Sequence, residues 1–141
     1  MKAGLDRGRL SELRKATPMN RFQPDGRHTV TPRIITPKPE GLVRFVKEVF
    51  HGHGEFHANR PAEIRIGDSI IMISDGGGLR EPVSAFLYVY VENVDETYQR
   101  AVEAGAETVE LPSDLPYGDR RAMVKDQWGN LWQMASHKCS K

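Results

Sequence analysis

From residue 29 onward, apolar positions come first in short alternating runs, then at helical spacing, then in alternating runs again. "TVTPRIIT" (29–36) is β-branched and reads as a strand. "PKPE" follows, and Pro39 suits the first residue of a helix, where no backbone N–H is needed. In "EGLVRFVKEVF", Leu42, Phe45, Val46 and Val49 fall on one helical face, with Gly52 as the residue that ends the helix. "GEFHA", "AEIRIG" and "SIIMIS" read as three strands, the last two turning at Gly67-Asp68. "SDGGGLREP" is a flexible connection; no Lys-Ser/Thr follows its glycines, so it is not a phosphate loop.

The order then repeats. "SAFLYVYV" is a strand, and "NVDETYQRAVEAG" is a helix with Asn93 as N-cap, Glu96 in a capping-box-like position and Gly105 after its end. "ETVEL", "RRAMVK" and "NLWQMAS" are three more strands, the last pair turning through "DQWG". The chain therefore reads βαβββ twice, with the copies about 55 residues apart. Two sheets of four strands, each with a helix on one face, leave their other faces to form a cleft, an α+β architecture. The expected organisation is an N-terminal arm (1–28), one domain (29–137) with modules 29–75 and 84–137, and a short tail (138–141).

Composition narrows the function classes. With 141 residues, the chain is long enough for one domain with a real core. The 38% apolar and 28% charged content argues against general disorder. A net charge of +1 gives no electrostatic case for nucleic acid or an anionic membrane as partner. No apolar run approaches the roughly 20 residues of a membrane span, and the N-terminus lacks a secretory h-region. The single Cys139 excludes an intrachain disulfide, so a reducing, cytoplasmic setting is the default expectation. Within the arm, "LDRGRLSELRKA" puts Leu5, Leu10 and Leu13 on one side of a short helix that Gly8 weakens. "TPMNRFQPDGRH" reads as a solvated linker, or alternatively as a basic contact for a partner.

The doubled order, with "VENVDETYQRAVEAGAE" and "PYGDRRAMVKDQWGNLWQMASH", resembles the glyoxalase/bleomycin-resistance/dioxygenase (vicinal oxygen chelate) superfamily, nearest the branch of phosphonate-operon accessory proteins. The resemblance covers residues 29–137, and its most specific part is "YGDRR…VKDQWGNLWQ", similar to a "GDR…DPxGNxW" ending. It implies a cleft-shaped half-barrel of eight strands. In the metalloenzymes of such a family, ligands come from the first and last strands of each module. By register those positions are Thr31, Met72, Phe86 and Gln133. Phe86 and Met72 cannot hold a hard or borderline divalent ion, Thr31 is a poor ligand, and only the Gln133 amide oxygen can coordinate. The neighbours Ile71, Ile73, Ala85 and Leu87 offer nothing better, so no metal and no cofactor are expected.

The densest histidine stretch, "HGHGEFH", admits two readings: His51, His53 and His57 as metal ligands, or a helix end, a turn and a strand start. A turn at the outer end of the module, away from the cleft, is expected. For ligand binding, alternation puts Phe86, Tyr88 and Tyr90 on one face and Leu87, Val89 and Val91 on the other. The aromatic face is either core filling or a wall for a planar ligand. Thr31, Arg33 and Ile35 share a face; Arg33 suits a carboxylate-bearing ligand or pairs with Glu63. Trp128 either caps the cleft or packs under its turn, while Glu63 and Asp126 are the conceivable acid/base groups. The expected ligand-binding set is thus Thr31, Arg33, Glu63, Met72, Phe86, Tyr88, Tyr90, Trp128 and Gln133. The expected function is metal-independent binding of a small molecule, aromatic or carboxylate-bearing, in a homodimer. Its rivals are a glyoxalase-type lyase, isomerase or dioxygenase with a relocated metal site, and an interaction module acting through its basic arm.

Overall fold

The computed structural model describes residues 22–138, so the short helix expected over "LDRGRLSELRKA" and Cys139 lie outside the described residues. The chain divides into two compact units, Met1–Thr31 and Pro32–Lys141. In the first, the described residues form a turn: Arg27 N–H donates to the Pro24 carbonyl at 3.3 Å, and the Gln23 amide donates to the Arg27 carbonyl at 2.9 Å.

The second unit carries β1 (Arg33–Ile35), α1 (Pro39–Phe50), β2 (Ala62–Ile66), β3 (Ser69–Ser74), a 3₁₀ turn (Gly76–Gly78), β4 (Phe86–Tyr90), α2 (Val94–Glu103), β5 (Glu107–Asp114), β6 (Asp119–Lys125) and β7 (Leu131–His137). A three-stranded sheet has the order β1-β3-β2, and a four-stranded sheet the order β4-β7-β6-β5. In each, the first strand runs parallel to the last strand of its module, and the other pairings are antiparallel. The result is an α+β fold of two open sheets. Among the described residues no helix is long and apolar enough to cross a membrane.

The second module keeps the full βαβββ order, whereas the first is reduced. "GEFHA" is not a strand; only His53 bridges Arg65, through bonds of 2.9 and 2.8 Å. Gly54 explains the loss. Its φ of +143° and a missing Cβ that would overlap the Glu63 carbonyl let the chain touch β2 once and then leave it. The first strand is also shorter than "TVTPRIIT", because Pro32 has no N–H to give to a ladder. Thr31 lies ahead of β1, outside any strand.

Helix termini follow local chemistry. Pro39 opens α1, and the Asn93 side chain accepts from Glu96 N–H at 3.0 Å to cap α2. The left-handed residue ending α1 is His51 (φ 56°), not Gly52. Gly52 is required for another reason: a Cβ there would lie 2.8 Å from the Ile64 side chain.

The core decides how the modules are arranged. Leu42, Val46 and Val49 of α1 are fully buried, in one cluster with Ile34, Ile64 and Ile73 of the first sheet and Val124, Trp132 and Met134 of the second. Phe45 and Phe50 set their rings 6.3 and 5.1 Å from that of Trp132 on β7. Helix α1 therefore packs on both sheets, and α2 packs on α1 and on β5, β6 and β7. Each sheet turns its apolar side toward the helices. A cleft lies between the modules, lined by Ile66 and Ile71 of the first and Leu87 to Tyr90 of the second.

Candidate functional site

Strand alternation and register determine what the sheet sides turned away from the helices carry. On the first sheet, Arg33, Met72 and Glu63 stand side by side across β1, β3 and β2. On the second, Tyr88, Gln133, Met123 and Glu110 form a row across all four strands, and Tyr90, Ala135 and Arg121 form the next. Phe86, Tyr88 and Tyr90 are exposed on this outer side, while Leu87 and Val89 pack against the core. The alternation expected for this strand holds.

The expected binding residues thus separate. Arg33, Glu63 and Met72 lie on the first sheet and Phe86, Tyr88, Tyr90 and Gln133 on the second. Trp128 belongs to neither. Its ring meets Phe45 edge-on at 6.3 Å and lies over Gly41, where an added Cβ would stand 2.8 Å from the indole. It packs its turn onto α1 and caps no cleft. Asp126 is also structural: buried, it accepts from Trp128 N–H, Asn130 N–H, the Asn130 amide and the Trp132 indole at 2.8–2.9 Å. With its lone pairs engaged in the "DQWGN" turn, it is no acid/base group.

A polar network missed in the sequence borders the aromatic row. The Tyr88 hydroxyl donates to Asp119 Oδ2 at 2.6 Å, and His137 Nδ1 lies 2.8 Å from Asp119 Oδ1. Because the carboxylate only accepts, His137 carries its proton on Nδ1 and turns Nε2 outward. Arg121 donates to the Tyr117 hydroxyl at 3.2 Å and its Nε stands 3.3 Å from Glu110 Oε1. Tyr88 and Tyr90 rings meet edge-to-face at 5.4 Å. Fully buried Ala135, between Tyr90 and Arg121, is small enough to leave room for these side chains.

These contacts set the protonation states. Partial burial, then the bond to Asp119, push the Tyr88 phenol above its ordinary value, so it serves as a donor at neutral pH. Hydrogen bonds from Tyr88 and His137 hold Asp119 below the usual carboxylate range. The only sequence signal for this network was "YGDRR" preceding a strand; strand register does the rest.

Beside the row lies a cavity of about 630 Å3, between the β2–β3 hairpin and the edge strand β4. Because β4 is at the edge, Leu87 and Val89 of one face and Tyr88 and Tyr90 of the other all reach it. His51 and His53 line it too, contrary to their expected place away from any cleft. His57 points elsewhere, with Nε2 3.3 Å from Arg60 Nη2. Among the described residues no three His, Cys, Asp or Glu side chains gather as a metal-holding group.

Two open sheets around a shared helical layer, with an aromatic and hydrogen-bonded outer row, define an α+β fold of paired modules. The chain belongs to the Glyoxalase/Bleomycin resistance protein/Dioxygenase superfamily, whose family model matches residues 28–134. It is similar to TioX from Micromonospora sp. ML1, with 25% identity and a TM-score of 0.66 over 78% of this chain and 98% of that one. The fosfomycin resistance protein FosX from Mesorhizobium loti shares the fold at 17% identity and a TM-score of 0.60, over 79% of this chain and 92% of that one. An uncharacterized protein of Mycobacterium tuberculosis strain H37Rv is 32% identical over 84 residues, covering 52% of this chain and 49% of that protein. The chain thus spans about half the length of that relative. Of the four positions that the resemblance implies for metal ligands, Met72 and Phe86 carry side chains unsuited to a hard or borderline divalent ion, Thr31 lies outside the strands, and Gln133 keeps an amide oxygen that can coordinate.

Proposed function

We propose that this protein binds a small organic molecule without a metal, as a ligand-sequestering or resistance-type member of its superfamily. The observation that carries this reading is the exposed row of Phe86, Tyr88 and Tyr90 beside a cavity of about 630 Å3. Phe86 and Tyr90 are 60% and 65% exposed, a large aromatic area for a folded chain to leave in water. Tyr88 is held by Asp119, so its ring is already oriented for stacking and little entropy is lost when a ligand arrives. Kinship with TioX and FosX, the latter a fosfomycin resistance protein by name, supports the same direction. The branch of phosphonate-operon accessory proteins is proposed on the closing "GDRR…DQWGNLWQ" motif.

A homodimer belongs to this reading. The first-sheet group (Arg33, Glu63, Met72) and the second-sheet group (Tyr88, Gln133) lie on different sheets, and in this reading a second copy brings them into one cleft. A cytoplasmic location, an arm at 1–28 and modules at 29–75 and 84–137 complete the proposal. The His137–Asp119 pair favours a second reading, acid/base chemistry on the bound molecule, since an exposed imidazole is oriented by a buried carboxylate beside Tyr88.

Anilinonaphthalene sulfonate, a planar aromatic anion, is the probe. Its fluorescence rises on binding to the wild type, and Tyr88→Ala weakens it by roughly 1–3 kcal/mol. Equal binding by wild type, Phe86→Ala and Tyr88→Ala overturns the aromatic site. Sedimentation velocity tests the dimer, which a purely monomeric boundary at micromolar concentration removes.

A further inference from the structure

A second concavity, of about 480 Å3, lies at the end of the first sheet opposite the β2–β3 hairpin. Its walls carry Arg33 from β1, His57 and Arg60 from the segment leading to β2, and Arg80 from the segment after the 3₁₀ turn. One carboxylate, Asp75, shares the space, and its Oδ1 already accepts from Gly77 N–H at 2.8 Å. Neither Arg33 nor Arg80 has an ion-pair partner among the described residues. Arg60 Nη2 donates to His57 Nε2 at 3.3 Å, which places the imidazole proton on Nδ1 and leaves no carboxylate on this guanidinium. Three arginines thus line one small volume that holds a single carboxylate residue. Like charges so placed repel, and an anion bound among them removes that repulsion.

We propose that this concavity binds a phosphate group, either free or on a small organic molecule. A carboxylate is planar and one guanidinium fork satisfies it, whereas a phosphate dianion offers more acceptor oxygens in several directions and a second charge. The glycines matter here by what they lack. A Cβ added at Gly77, which lines the concavity, would meet nothing within 4 Å, so there is open space at that point of the wall. The missing Lys-Ser/Thr after "GGG" leaves the charge to the arginines. Phe56 and Leu79 line the remainder, which gives apolar room for an organic group on the phosphate. The site uses neither the aromatic row nor the larger cavity and shares only Arg33 with the cleft proposed above.

Isothermal titration calorimetry of the full chain at low ionic strength tests it, with inorganic phosphate and phenyl phosphate as probes and sodium chloride at matched ionic strength as reference. Saturable phosphate binding beyond chloride is expected, with Arg60→Gln and Arg80→Gln each weakening it roughly tenfold. The double variant loses it, while Lys125→Gln on the other sheet leaves it unchanged. Tighter phenyl phosphate assigns an organic phosphate, and equal affinity assigns the free ion. These arginines are exposed, so melting temperatures in chloride, expected unchanged, verify the fold of each variant. Phosphate heats equal to chloride, a double variant that binds like wild type, or an equal loss in Lys125→Gln overturns the proposal.

Discussion

Arg100 of α2 donates from Nε and Nη2 to the Val49 carbonyl of α1, at 3.1 and 2.9 Å. Val49 is in the last turn of its helix, where carbonyls lack an intrahelical partner, and a cation there also meets the negative end of the helix dipole. A third bond, to Thr97 Oγ1 at 3.2 Å, fixes the guanidinium on its own helix. The two modules are joined through this one side chain as well as through the core. Arg100→Met keeps much of the aliphatic stem and removes the bonds, so unfolding free energy falls by roughly 1.5–3 kcal/mol. Urea denaturation measures it, and an unchanged midpoint contradicts the clasp.

Asp126→Asn tests the "DQWGN" turn. Each carboxylate oxygen accepts two of the four hydrogen bonds, so whichever becomes the amide NH2 leaves two donors without an acceptor. The expected loss is roughly 2–3 kcal/mol, with a change in the near-ultraviolet signal of Trp132. A stability equal to wild type shows that the turn holds without the charge.

Leu87→Ala and Tyr88→Ala, neighbours on opposite faces of β4, are expected to diverge. Leu87 packs on the core, so its truncation lowers stability by roughly 2 kcal/mol, at the low end for leucine because it is only partly buried. Tyr88→Ala acts chiefly on binding of the aromatic probe. Paired melting and fluorescence titrations separate the effects, and the opposite pattern means that the faces are exchanged.

Acid sensitivity follows from Asp119. Its carboxyl is held below its unfolded value, so its contribution to stability is complete above about pH 3.9 and is lost as pH falls through the lower folded value. Asp119→Asn therefore destabilises at neutral pH, and the gap from wild type closes below about pH 3.9. Urea midpoints of both proteins across that range measure the gap; one that persists in acid assigns the effect to shape alone.

Gly52→Ala places a methyl group 2.8 Å from Ile64 Cγ2 and 3.1 Å from Val46 Cγ1, at the join of α1 and the first sheet. Both neighbours are fully buried and have no room to yield, so a loss of roughly 1–3 kcal/mol is expected by thermal melting.

Much of this molecule was already written in local chemistry. The spacing of Leu42, Val46 and Val49, Pro39 as first helical residue, Asn93 as cap, and the alternation through Phe86–Tyr90 need only neighbours a few residues away, so they read correctly along the chain. Tertiary structure decided what depends on approach between distant segments. "GEFHA" has strand-like residues, yet the backbone path at Gly54 removes all but one bridge. Tyr88, Asp119 and His137 come together through the β4-β7-β6 register, and three arginines and a histidine line one concavity where β1, the loop before β2 and the loop after β3 meet. The largest decision was made by α1. With Leu42, Val46 and Val49 already pointing inward, the rings of Phe45 and Phe50 still needed burial and found it on Trp132, so one helix serves both sheets.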